Sequence, residues 1–304
     1  MAETPEVITT AVPLSTGAER PADHGMMRLL RAARVIHPFP TLLNVAATGA
    51  LAFVAARGVP DEAVVARMLL LMFCAQSAIG IVNDLCDREL DAATKPWKPI
   101  ANGLIAPHVA IVAAVGLIVL AIAIGVTLGV ASLTLATLGL GAGLAYDIRL
   151  KRSALSAVPY MIGIPTLPLW VWATLGEWQL ALWWLVPIGA LIGLALQLQN
   201  GLIDIDDDAS HGVFGLAYRL GARRALIVAW SSFGVALVAG ALLAPALDYD
   251  VLPYVAGAIV ACACFGLTIA TYAVRRDSAS LQIGFGLLGI GSAVLATGWL
   301  AAVT

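Results

Sequence analysis

The chain is 304 residues long, 61% hydrophobic and only 12% charged, whereas soluble domains run at about 45–50% apolar and about 25% charged. A water-soluble body of this composition lacks the polar residues to cover itself, so the chain's main solvent is lipid. Seventeen basic residues against 19 acidic ones leave a net charge of −2, which excludes the polycationic field that nucleic-acid binding needs.

Residues 1–24 are rich in Pro, Thr and Glu and nearly free of aromatics, so a disordered tail is expected there. They do not read as a signal peptide, because the positive residues follow the polar stretch. Residues 25–304 form one expected domain. Within it, nine apolar runs occur at roughly 33–56, 62–82, 108–129, 131–146, 155–175, 180–200, 223–244, 251–274 and 281–301. Most reach the ~20 residues a helix needs to cross about 30 Å of hydrocarbon. The fourth is short, and its boundary with the third is poorly marked. Unpaired backbone groups are not tolerated in lipid, and runs this continuous are helices rather than barrel strands. The expectation is an all-α, multi-spanning membrane protein, with nine transmembrane helices around a central cavity. Its 29 glycines favour close helix contact.

Alternating nine spans gathers the basic residues on one side: Arg20, Arg28, Arg31 and Arg34; Arg88, Lys95 and Lys98; Arg149, Lys151 and Arg152; Arg219, Arg223 and Arg224; Arg275 and Arg276. The other side keeps Arg57 and Arg67. The positive-inside rule then predicts a cytoplasmic N-terminus, with the three longest polar loops facing the cytoplasm. Cys74, Cys86, Cys262 and Cys264 show no disulfide-like or zinc-like spacing, and Cys262 and Cys264 read as small core residues.

Apart from the tail and short turns, acidic residues fall in two blocks, Asn83-Asp84-Leu85-Cys86-Asp87-Arg88-Glu89-Leu90-Asp91 and Asn200-Gly201-Leu202-Ile203-Asp204-Ile205-Asp206-Asp207-Asp208. They end spans two and six, on the same predicted side. Asn83, Asp87 and Asp91 repeat at intervals of four, as do Asn200, Asp204 and Asp208. On a helix that interval makes one oxygen-bearing stripe, and Asp84 joins the first. The recurrence four helices apart suggests an internal repeat whose stripes face each other. Carboxylates this dense repel one another, and hard oxygen donors with few nearby cations suit magnesium. Lys95, Lys98 and the run from Tyr146 to Lys151 and Arg152 lie on the same side. Acids holding magnesium beside lysines suit a diphosphate. A cation-coupled transporter would carry its carboxylates near the midplane on interrupted helices.

At these residues the chain resembles the UbiA superfamily of intramembrane prenyltransferases, of the 4-hydroxybenzoate polyprenyltransferase kind. That family's first motif, Asn-Asp-x-x-Asp-x-x-x-Asp, is complete as Asn83 to Asp91. Its Asp-x-x-x-Asp is Asp204 and Asp208, followed by GVFGLAYRLG at 212–221, and its Tyr-x-x-x-Leu-Lys signature resembles Tyr146 to Lys151. Lys95 and Lys98 stand where the family usually has arginines, and Gly215 where a threonine is common.

The resemblance implies transfer of a prenyl group from an allylic prenyl diphosphate to an acceptor, often aromatic, with Mg2+ as cofactor. It implies Asp84, Asp87 and Asp91 at one magnesium, Asp204 and Asp208 at the other, and Asn83 and Asn200 assisting. Lys95, Lys98, Lys151 and Arg152 would meet the diphosphate. Tyr146 would face the developing cation, and Asn44 the acceptor pocket. Asp91 or Asp204 would help remove the proton. A terpene cyclase and a non-aromatic acceptor, such as a glycerol phosphate or a tetrapyrrole, stay open within the same scaffold. His37 reads as part of a helix start.

Overall fold

The computed structural model describes residues 25–247 and 250–304, with the side chains of all of these except 206–208, 244 and 245. The expected tail at 1–24 lies outside the described residues. Among those residues the regular structure is helical, and nine helices are long and apolar enough to span a membrane. They run Pro38–Ala56, Glu62–Cys86, Pro107–Thr127, Val130–Ile148, Val158–Leu175, Leu180–Gly201, Ala222–Leu242, Val251–Arg275 and Ser278–Val303. The chain is an integral membrane protein.

The differences from expectation lie at helix ends. The first span starts at Pro38, because His37 takes a left-handed backbone (φ 50°) that separates it from a short 3-10 turn at Ala33–Ile36. Proline fits there, since the first turn needs no N–H. The second span runs one turn past its apolar stretch and carries Asn83 and Asp84 inside it. The fourth span proves to be a full 19 residues. It is divided from the third by Leu128 and by Gly129, whose φ of 98° suits glycine.

The first span packs on the second, fifth and ninth, and the second also on the third and fourth. From the fourth the contacts run through the fifth, sixth, seventh, eighth and ninth in turn, and the sixth also touches the ninth. These contacts surround a cavity of about 1260 Å³. The third span is the most apolar of the nine and contributes no lining residue, as befits a helix on the lipid side.

Glycines set the tightest contact. A Cβ on Gly189 would come 2.7 Å from Pro165 Cβ, and one on Gly193 would collide with the Tyr160 carbonyl. The fifth and sixth spans therefore meet almost backbone to backbone. Cys262 is exposed whereas Cys264 is buried, which corrects the expectation of a shared core position. Residues two apart on a helix lie on nearly opposite faces.

Candidate active site

The second span ends at Cys86, Asp87 caps it, and a short helix, Arg88–Thr94, follows. Backbone bonds from Asp87 N to Asn83 O and from Asp91 N to Asp87 O carry the four-residue rhythm across this joint. Asn83, Asp87 and Asp91 consequently all line the cavity.

Asp84 does not line it. Only 1% of Asp84 is exposed. Its Oδ1 meets His37 Nε2 at 2.8 Å and Lys98 Nζ at 2.8 Å. The His37 ring reaches it because residue 80 is glycine, where a Cβ would stand 3.1 Å from that ring. Lys98 bridges onward to Asp91 Oδ2 at 2.7 Å. Burial raises the Asp91 pKa, and the salt bridge from Lys98 only partly offsets this. For Lys98, burial favours the neutral amine, but the Asp84 and Asp91 carboxylates outweigh it and raise its pKa.

Asp87 is bonded by Lys151, with Arg152 Nη2 3.4 Å away. Lys151 is buried and lines the cavity, whereas Arg152 is exposed and does not. The expected shortage of nearby cations is thus not what the structure shows, since each carboxylate of the first block has a basic partner. Lys98 folds back from the adjoining loop and Lys151 from beyond the third and fourth spans.

In the second block Asn200 lines the cavity, but the sixth span stops at Gly201. Asp204 sits in the following turn, exposed and outside the lining, although its flanking residues Gly201 and Ile205 are part of it. The Asp208 side chain, like those of Asp206 and Asp207, lies outside the described residues. The expected second stripe is therefore broken, with its first member in the cavity wall and its second on the surface. Lys95 and Asn44 also line the cavity, and Asn44 Nδ2 is bonded to Pro40 O at 2.9 Å.

Asp147 and Gln197 are among the polar lining residues that escaped sequence reasoning. Asp147, on the fourth span, is buried and accepts a hydrogen bond from Asn83 Nδ2 at 2.8 Å. The fourth span ends at Ile148 and Lys151 sits in a separate 3-10 turn, Leu150–Arg152, so no helical periodicity links the two. Gln197 donates to Ser156 Oγ at 3.1 Å, and the same hydroxyl accepts from Leu216 N at 2.9 Å. This ties the 212–221 segment to the lysine turn, with Gly215 leaving only enough room for the Lys151 carbonyl, 3.0 Å from a Cβ there. Tyr146 and Tyr160 line the cavity as an edge-to-face pair, ring centres 5.4 Å apart.

The cavity thus has one charged end and a long apolar remainder. Along the ninth span it is lined from Gln282 to Leu300, about 27 Å at ~1.5 Å per residue.

The UbiA prenyltransferase family model matches residues 42–288. The chain belongs to this family. It is 28% identical over 200 residues to the 4-hydroxybenzoate octaprenyltransferase of Vibrio atlanticus, covering 64% of this chain and 70% of that protein. It is also 28% identical over 205 residues to the digeranylgeranylglyceryl phosphate synthase of Natronomonas pharaonis, covering 66% and 73%. A solved digeranylgeranylglyceryl phosphate synthase shares its fold with a TM-score of 0.71 at 14% identity, over 91% of this chain and 98% of that one. A UbiA homolog from Archaeoglobus fulgidus, solved bound to GPP and Mg2+, gives 0.69 at 14% identity, over 88% and 99%. The family assignment makes this membrane protein a prenyltransferase.

Proposed function

We propose that the chain transfers a prenyl group from an allylic prenyl diphosphate to a hydroxylated aromatic acceptor, with magnesium, at the cytoplasmic face of the cell membrane. The observation that carries this reading is a cavity with carboxylates and lysines clustered at one end and apolar walls over most of the membrane's thickness. Such a shape matches a substrate with an anionic head and a hydrocarbon tail.

The donor set is all hard oxygen. Asn83, Asp87, Asp91 and Asn200 share the cavity's charged end, and Asp204 follows one turn after Asn200. These residue types suit magnesium, and we assign Asn83, Asp87 and Asp91 to one ion and Asn200, Asp204 and Asp208 to a second. Bound magnesium supplies positive charge against which a diphosphate becomes a good leaving group. Lys98 and Lys151, now bonded to Asp91 and Asp87, carry the charge to pair with diphosphate oxygens, and Lys95 and Arg152 flank them. Asp84, locked by His37 and Lys98, positions that lysine.

When the allylic carbon–oxygen bond breaks, its electron pair goes to the diphosphate and an allyl cation remains. The apolar walls exclude water that would capture it, and the Tyr146–Tyr160 pair offers aromatic faces to a cation. The basic residues grouped on the loop side support a cytoplasmic site.

The test is product analysis by mass spectrometry, with magnesium, a C10–C20 series of allylic diphosphates and aromatic acceptors, plus a control without acceptor. A prenylated aromatic product supports the reading. A cyclised hydrocarbon in the control would replace it with a terpene cyclase.

A further inference from the structure

The short Gly25–Ala32 helix ahead of the first span has no buried residue, although half of it is large and apolar. Met26, Met27, Leu29 and Leu30 are between 47% and 66% exposed. At about 100° per residue, those four side chains fall on one side of the helix, and Arg28 and Arg31 fall together on the other. Leaving such a stripe in water costs free energy in proportion to its apolar area. A helix with one basic and one apolar face suits the boundary between headgroups and acyl chains.

The neighbouring chain places the helix at that boundary. Val35, in the Ala33–Ile36 turn, is buried in one cluster with Ile81 of the second span, Ala110 and Ala114 of the third, and Ile100 of the loop between them. That cluster lies at the loop ends of both spans. His37, in its left-handed conformation, then turns the chain into the first span, whose first turns already expose Phe39 and Leu42. The 3-10 turn advances only about 8 Å at ~2.0 Å per residue, so the helix ends close to that apolar surface.

Charge decides which lipid fits. Arg28, Arg31 and Arg34 are exposed, and the helix contains no acidic residue. Neither Arg28 nor Arg34 has a carboxylate partner among the described residues. Three cations beside an apolar stripe complement anionic headgroups. Their long stems can follow the stripe while the guanidinium groups stay among the phosphates.

We infer that the Gly25–Ala32 helix is a binding surface for anionic lipid: Met26, Met27, Leu29 and Leu30 enter the acyl boundary, and Arg28, Arg31 and Arg34 pair with negatively charged headgroups. This surface is separate from the cavity and holds whichever acceptor the cavity takes.

The experiment uses the full chain in nanodiscs of phosphatidylcholine alone and of equal parts phosphatidylcholine and phosphatidylglycerol. Hydrogen–deuterium exchange at residues 29–32 is followed by mass spectrometry, with the second span as internal standard. These amides should exchange at least fivefold more slowly in the anionic discs, and high salt should shrink the difference. Arg28→Gln, Arg31→Gln and Arg34→Gln together should abolish it. Leu29→Glu with Leu30→Glu should make exchange fast in both discs while the second span stays protected. Equal exchange of the wild type in the two lipids overturns the inference, and this comparison decides even where a variant fails to fold. Protection that survives Leu29→Glu with Leu30→Glu overturns it as well, because the stripe would then not be held in the acyl boundary. Protection found only in discs that hold two copies would assign the stripe to a second chain instead of lipid.

Discussion

Asn83 Nδ2 donates to Asp147 Oδ1 across 2.8 Å and joins the second span to the fourth at the charged end of the cavity. Because Asp147 Oδ2 has no partner among the described residues, this is the only hydrogen bond that its carboxyl receives from them. Asn83→Ala should therefore lower stability by about 1–3 kcal/mol, the usual cost of leaving a buried polar group unpaired. Thermal unfolding in detergent with EDTA, where metal loss cannot contribute, measures this. An unchanged melting temperature would mean that the bond does not hold the two helices.

The roles assigned to Asp84 and Asp87 separate in the same kind of measurement. Asp84 is walled off with His37 and Lys98, so Asp84→Ala strips the half-buried Lys98 of one of its two counter-charges. Because Lys98 keeps Asp91, the loss is that of one charged hydrogen bond, about 1.5–3 kcal/mol, read as a lower melting temperature. The magnesium concentration needed for half-maximal prenyl diphosphate binding should move little in the protein that still folds. A large rise in that requirement at normal stability would identify Asp84 as a metal ligand.

Much of this architecture was legible in the sequence. The nine spans follow from run length alone, because lipid demands continuous apolar helices. Asn83, Asp87 and Asp91 reached the cavity at their four-residue spacing, whereas Asp84, expected on the same face, is buried behind it. The second stripe was less faithful. Periodicity presumes a continuous helix, and the sixth span ends at Gly201, leaving Asp204 exposed in a turn. Nor did the spacing show that Lys98 and Lys151 would fold back onto the acids. That pairing depends on how the 95–105 loop and the 150–156 turn dock, which no local pattern records. His37 looked like a helix start, and it is one, yet its left-handed backbone also aims the ring at Asp84.

Gly193 tests the packing beneath the site. Its missing Cβ is the space occupied by the Tyr160 carbonyl, and backbone on both sides cannot yield. Gly193→Ala should cost about 1–3 kcal/mol as overpacking and disturb the Tyr146–Tyr160 pair. Gly163→Ala, where a Cβ meets nothing within 4 Å, is the matched control and should unfold at or slightly above the wild-type temperature, since Ala is the better helix former. Equal melting temperatures for the two variants would contradict the close fifth–sixth contact.

Lys151 is placed to exchange Asp87 for a diphosphate oxygen. Lys151→Gln removes a charged hydrogen bond worth about 1.5–3 kcal/mol, so prenyl diphosphate affinity in the presence of magnesium should fall roughly 10–150-fold. Calorimetric titration with geranyl diphosphate reads this directly. Affinity within about twofold of wild type would remove Lys151 from the diphosphate site.

The most direct measurement is diphosphate release by the purified protein from an allylic prenyl diphosphate with acceptor, with and without magnesium. The account predicts release that stops with EDTA, returns with magnesium, and is abolished in both Asp87→Ala and Asp204→Ala. Release that persists in EDTA, or full turnover in both variants, would contradict it.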